Sequence, residues 1–211
     1  MKVKFLNGFF LLLFFSAAAL AQTTFTSDER NSKNQGTFES NAPLEDIVGV
    51  SDKLMSNVTL DLNDITNNPK GTVKVNLGAM KTGIDLRDNH LRSANWLDTD
   101  QYPYAEFILT SISGASSKTL EDGKELKAKA AGKLSIHGVT KEITADVALT
   151  YFKETEKTKA QIPGNLLRVT TNFTIQLSDF NISIPSMVAG KVDETIKVSA
   201  NFVASDLKNG M

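Results

Sequence analysis

The feature that most constrains this chain is a two-residue alternation of apolar and polar side chains, repeated in one segment after another. In Lys141–Phe152 the odd positions Ile143, Ala145, Val147, Leu149 and Tyr151 are apolar, and Glu142, Thr144, Asp146 and Thr150 between them are polar. Val169, Thr171, Phe173, Ile175 and Leu177 alternate in the same way with Thr170, Asn172, Thr174 and Gln176. So do Ile196, Val198, Ala200 and Phe202 near the C-terminus, Val73, Val75 and Leu77 in the middle, and Val58, Leu60 and Leu62 earlier; Phe107 and Leu109 continue the pattern. A repeat of two sends neighbouring side chains to opposite faces of a strand. Each segment therefore predicts a sheet with one buried face and one wet face, the antiparallel style.

Breakers fall between these runs at Asn67-Asn68-Pro69-Lys70-Gly71, Glu121-Asp122-Gly123-Lys124, His137-Gly138-Val139-Thr140 and Ile162-Pro163-Gly164-Asn165. Short strands joined by tight turns indicate a sandwich or a barrel. Closing about eight strands on themselves removes the open edges that invite aggregation. The sequence thus predicts an all-β fold, a single antiparallel β-barrel of about eight strands. The stretch RDNHLRSANWLDTDQYPYAEF, Arg87–Phe107, breaks the alternation. Asp88 suits a helix N-cap, with Leu91, Ala94 and Leu97 spaced behind it. Pro103 ends the segment, because a residue before proline leaves the helical region. Met80 and Ile84, four apart, add an earlier helical turn. One or two short helices crossing an end of the barrel are expected.

The N-terminus reads as an address. Lys2 and Lys4 precede an apolar run from Phe5 to Leu20, closed by Ala19-Leu20-Ala21. These are the parts of a secretory signal peptide over residues 1–21, with cleavage expected after Ala21 and a mature start at Gln22. A membrane span needs about 20 apolar residues, and no second such run follows, so no transmembrane anchor is expected and the product should be soluble and exported. The chain has no cysteine, so burial alone must hold the core. With 23 basic and 24 acidic residues there is no basic footprint for nucleic acid. Residues 22–36 are polar and expected to be a partly ordered segment outside the barrel. The barrel domain is expected over 37–204, followed by a C-terminal tail, 205–211.

Further residues carry a resemblance to a known family. Lys81-Thr82-Gly83, Arg87-Asp88-x-His90-Leu91-Arg92-Ser93, Trp96-Leu97-Asp98 and Tyr102-Pro103-x-x-x-Phe107 resemble the signature of the YceI-like polyisoprenoid-binding family. Gly132-Lys133-Leu134-Ser135-Ile136-His137-Gly138-Val139-Thr140-Lys141 resembles its second block, and Leu177-Ser178-Asp179-Phe180-Asn181-Ile182 its third. The family's third block has Arg before the Ser and Gly after the Phe. Leu177 and Asn181 depart from that, so no role of the Arg carries over. The resemblance spans about residues 37–204. It implies a lipocalin-like barrel, periplasmic or secreted, that carries or stores a polyisoprenoid lipid such as an isoprenoid quinone, without catalysis and without a cofactor.

A small eight-stranded barrel either fills with side chains or keeps a cavity for one ligand. The inward positions Phe107, Leu109, Leu134, Ile136, Ile143, Val147, Leu149, Phe173, Ile175, Phe180 and Val198 are the candidates for an apolar tunnel, and each is equally a candidate for ordinary core. Asp88, His90, Arg92 and Trp96 form a polar block that reads as a head-group contact or a structural corner. The corner is favoured, with His90 buried and tied to a strand, Asp88 capping the helix and Trp96 plugging the barrel end. His137 reads as a turn residue. The rival class is a hydrolytic or metal-dependent enzyme using His90 with Asp88 and Ser93. Those three crowd into six consecutive positions, whereas triads are assembled from separate parts of a fold, and no Gly-x-Ser-x-Gly elbow is present. Two distant histidines without cysteine give no zinc-ligand spacing, so neither catalytic residues nor a metal site are expected.

Overall fold

The computed structural model describes residues 22–31 and 33–207. The expected leader, 1–21, and the last four residues of the expected tail lie outside the described residues. The alternating segments become strands: β1 (Gln22–Ser27), β2 (Gln35–Asn41), β3 (Asp46–Ser51), β4 (Leu54–Asp61), β5 (Lys70–Asn76), β6 (Tyr104–Ser113), β7 (Glu125–Ile136), β8 (Val139–Phe152), β9 (Leu166–Gln176) and β10 (Thr195–Ser205). Two short helices, α1 (Asp85–Arg92) and α2 (Glu156–Lys159), lie between strands. Eight strands form a closed antiparallel barrel in the order β1-β4-β5-β6-β7-β8-β9-β10, with β1 returning to β10. This is the all-β, lipocalin-like barrel expected from the alternation. β2 and β3 form a hairpin laid against β10.

The seam of the barrel runs along β10. One edge of that strand pairs with β9 over its whole length, and three partners share the other. β2 covers Ile196–Asn201, and β1 meets the strand at Ser205, opposite Thr26. A side chain fills the gap between them. Asn34 accepts from the Val203 N–H at 2.9 Å and donates to the Val203 carbonyl at 3.2 Å. Its carboxamide thereby replaces a strand residue, and Asn34 is only 1% exposed.

Residues 22–36 correct the expectation of a polar segment outside the barrel. Residues 22–27 pair in register with β4 from Asp61 to Ser56, and Phe25 is fully buried. One apolar residue among threonines shows no visible alternation, yet threonine is β-branched and suits a strand. At the other end the boundary also moves, because Ser205 is buried and pairs with Leu166 as the last residue of β10. β7 and β8 meet in a two-residue turn, His137-Gly138, with φ of 51° and 74°. Positive φ at both positions gives the turn whose twist matches the flanking strands.

One end of the barrel, here the upper end, carries the β2–β3 tip, residues 77–103, the β7–β8 turn and residues 177–194. Gln22, the β4–β5 turn and Ser205 stand at the lower end. Buried apolar side chains gather in a lower cluster around Phe25, Leu60, Tyr151, Leu167 and Phe202. An upper cluster surrounds Leu134, Ile175, Leu177, Phe180 and Ile196. In the lower cluster the Phe25 and Tyr151 rings meet edge to face, with centroids 6.2 Å apart.

The seam makes a direct expectation. Asn34→Ala leaves buried Val203 backbone groups unpaired, a loss of about 1–3 kcal/mol, read as a lower urea midpoint. An unchanged midpoint would show that β10 needs no partner at Val203.

Candidate functional site: an apolar chamber open at one end

Between the walls of the barrel lies a chamber of about 520 Å³, within the range of small-molecule sites. It exists because several inward positions carry little or no side chain. Gly36, Gly71, Ala105, Ala130, Ala145 and Ala200 all line it, and Ala130 and Ala145 face each other across β7 and β8. Phe38, Phe107, Phe173 and Phe202 stand in the same wall. Larger residues at the alanine positions would extend into the space the rings leave, whereas at Gly36 the Val75 side chain already stands where a Cβ would go.

Nine of the eleven inward candidates line this chamber: Phe107, Leu109, Leu134, Ile136, Val147, Leu149, Phe173, Ile175 and Val198. Two stand elsewhere. Phe180 follows β9 in the turn 177–180, where the strand parity no longer holds, and it is buried in the upper cluster. Ile143 packs against that cluster opposite Gly132. A Cβ on Gly132 would lie 2.5 Å from the Phe107 ring, so that ring occupies the space in front of the pair. The sequence reading missed the small wall residues, although β7 parity points Ala128, Ala130, Gly132 and Leu134 to the same face. It also missed Val188 and Val192 at the opening, which lie in irregular chain and carry no periodic signal.

The opening is framed by α1, the β2–β3 tip and residues 188–192, with Glu45, Arg87, His90, Trp96 and Lys191 at its edge. A polar network centred on Thr82 holds α1 in place. The Thr82 backbone N–H and hydroxyl donate to one Asp88 oxygen at 2.7 and 2.5 Å. Arg87 donates to the Thr82 hydroxyl and carbonyl at 2.8 and 3.0 Å, and to Glu45 on the hairpin at 2.5 Å. Arg92 donates to the Met80 carbonyl at 3.2 Å and to Asn89 at 2.8 Å. Burial disfavours the Asp88 carboxylate, but the bonds from Thr82 and the nearby Arg92 and Arg87 outweigh it and hold the group below the usual carboxylate range.

Two expectations about this block need correction. Asp88 does not cap α1. The cap position is Ile84, which offers no side-chain bond, and Asp88 lies inside the helix reaching back to Thr82. His90 is not buried; it is exposed at the edge of the opening. The tie expected of His90 is made by His137, whose Nδ1 lies 3.1 Å from the Phe180 carbonyl and therefore donates to it. The His137 ring also meets Tyr102 edge to face at 5.3 Å. Trp96 is half-buried, packed against the upper cluster and lining the chamber. The triad types do not assemble either: the Ser93 hydroxyl donates to the His90 carbonyl at 2.6 Å, not to its ring. Among the described residues no three His, Cys, Asp or Glu side chains come together as a metal site. No helix among them is long and apolar enough to cross a membrane.

A closed antiparallel barrel around one apolar chamber, with short helical segments over the open end, defines a lipocalin-like protein. The chain belongs to the YceI-like family, whose domain profile matches residues 25–204. It is 33% identical over 114 residues to a UPF0312 protein of Pseudomonas putida; the match covers 53% of this chain and about half, 52%, of that relative's length. A UPF0312 protein of Staphylococcus aureus is 26% identical over 186 residues, covering 87% of this chain and 99% of that one. Among solved structures, BcnA of Burkholderia cenocepacia superposes with a TM-score of 0.65 at 18% identity, over 82% of this chain and 98% of BcnA. A polyisoprenoid binding domain of Saccharophagus degradans, implicated in plant cell wall breakdown, superposes with a TM-score of 0.63 at 15% identity, over 88% and 99% of the two chains. At those identities the likeness shows the fold.

The network around Asp88 has a pH signature. A carboxylate whose folded pKa is depressed stabilises the fold above its unfolded value, about 3.9, and loses that contribution as pH falls through the folded value. The parent should therefore exceed Asp88→Asn in stability at neutral pH, and the gap should shrink below about pH 4. Asp61 and Asp64, held low mainly by hydrogen bonds from Asn63 and Thr66 respectively, are common to both proteins and cancel. Urea midpoints at the two pH values check this; a constant gap would exclude the charge as its source.

Proposed function

We propose that this protein is an exported, soluble carrier or store for a polyisoprenoid lipid, of the isoprenoid-quinone kind, rather than an enzyme. The hydrocarbon lies in the chamber and the polar head stays at the opening near Arg87, His90 and Lys191. The observation that carries this reading is the chamber itself, predominantly apolar and bordered by small side chains such as Ala130 and Ala145. The polyisoprenoid binding domain of Saccharophagus degradans, which shares the fold, supports the choice of lipid.

Energetics favour such a ligand. Burying hydrocarbon is worth ~0.8 kcal/mol per CH₂ group, so a five-carbon isoprene unit offers roughly 3–4 kcal/mol gross. A few units exceed the 4–15 kcal/mol that immobilising a ligand costs, an order-of-magnitude range. Affinity then requires no charge partner, only a dry apolar space. The catalytic alternative lacks this support, because Asp88 is engaged by Thr82 and Ser93 by a backbone carbonyl.

Ala130→Leu tests the reading. It fills space opposite Ala145 with hydrocarbon, so the lipid-free protein should keep its stability while affinity for a long prenol falls about tenfold or more, a loss of ~1.4 kcal/mol per decade. A tightly packed interior would instead lose about 1–3 kcal/mol of stability and have no binding to weaken. Equal prenol titrations of parent and variant would sink the carrier reading.

The export part has its own check. The exported protein should begin at or near Gln22, and N-terminal sequencing that still finds the Phe5–Leu20 run would overturn it.

A further inference from the structure

The three most exposed large apolar side chains among the described residues all stand around the chamber's opening. Met187 is 87% exposed, Leu44 73% and Leu86 66%, and Ile84 joins them at 51%. They come from three separate elements: Leu44 from the β2–β3 tip, Ile84 and Leu86 from the start of α1, and Met187 from the turn Ser186–Val188. Their neighbours fix them to the rim. Ile84, Leu86 and Val188 border the chamber. The Leu44 N–H donates to the Gly190 carbonyl at 3.0 Å, and the Arg87–Glu45 ion pair ties α1 to the hairpin.

Single exposed apolar residues need no explanation, but a group of them around a portal marks an interaction surface. We infer that this rim docks on the surface of a lipid bilayer, with Leu44, Ile84, Leu86 and Met187 entering the headgroup region. The inference rests on the carrier reading and adds the route by which the lipid enters and leaves. A partner seated on this rim covers an opening of an apolar chamber, so it must accept a hydrocarbon chain directly, and a bilayer does. The first and last described residues, Gln22 and Leu207, both stand at the lower end, away from this rim. Lys81 and Lys191 are exposed at the upper end together with Asp46 and Asp85. The rim thus carries both signs of charge, as zwitterionic headgroups do. Attachment is accordingly apolar, and salt should change it little.

Flotation with phosphatidylcholine vesicles tests this, using the chain from Gln22 onward, which carries every described strand and both apolar clusters. The parent should float at low and high salt. Leu44→Ser combined with Met187→Ser, neither of which lines the chamber, should reduce vesicle partition on the order of tenfold or more, because each side chain loses its apolar transfer energy. Leu207→Ser, at the lower end, should leave flotation unchanged. Titration with a water-dispersible short-chain prenol should give the same affinity for all three proteins. A parent that binds the prenol but does not float overturns the docking surface and leaves the carrier reading standing. A parent that floats through the rim yet binds no prenol supports the surface and sinks the carrier reading. Loss of a concentration-dependent dimer in the double variant, with no flotation of the parent, would overturn the inference in favour of a second copy of this chain.

Discussion

Closing a sheet into a barrel requires that both of its edges find hydrogen-bond partners, and in this protein that requirement falls on one strand. β10 has β9 on one side, and on the other a mixture of β2, the Asn34 carboxamide and the end of β1. A single full-length partner would have left the β2–β3 hairpin without an edge to join. Dividing the edge lets the hairpin attach high on β10 and stand over the upper end, where its tip meets α1 through Glu45 and Arg87. The shape of the opening therefore follows from how the seam is shared.

The interior and the opening obey different physics. Inside, the wall is set by volume: rings at Phe38, Phe107 and Phe173 alternate with positions that have almost no side chain, and the remaining space is apolar. At the opening, position is set by charge and hydrogen bonding. Thr82 accepts from Arg87 and donates to Asp88, so one hydroxyl links a cation and an anion on the same short helix. An eight-residue helix has little stability of its own in water. Its placement over the chamber depends on this network and on the apolar packing of Trp96 and Leu97.

The sequence made the fold class and most of the inner wall legible because period two is a geometric property of strands. β8, β9 and β10 each have long alternating runs, and their inward candidates line the chamber apart from Ile143. Legibility ended where the signal is a small or polar residue. Phe25 among threonines, Asn34 in a polar segment and Ala130 opposite Ala145 are read as neutral along the chain, although pairing gives each a defined place. The two histidines illustrate the same limit. Both sit in blocks resembling the family pattern, but only tertiary contacts determine that His137 faces the Phe180 carbonyl while His90 faces water.

The shared seam also bears on how the chain folds. Asn34 and Val203 are 169 positions apart, and without cysteine no covalent link shortens that separation. The neighbouring hairpins can form locally, but the ring cannot shut until the last strand exists. Long-range pairing of this sort is slow, because loop entropy is lost before the contacts compensate for it. A chain lacking its final strand is consequently an open sheet whose edges have no partner. Ring closure, rather than the formation of any one strand, marks the point at which this polypeptide acquires an inside.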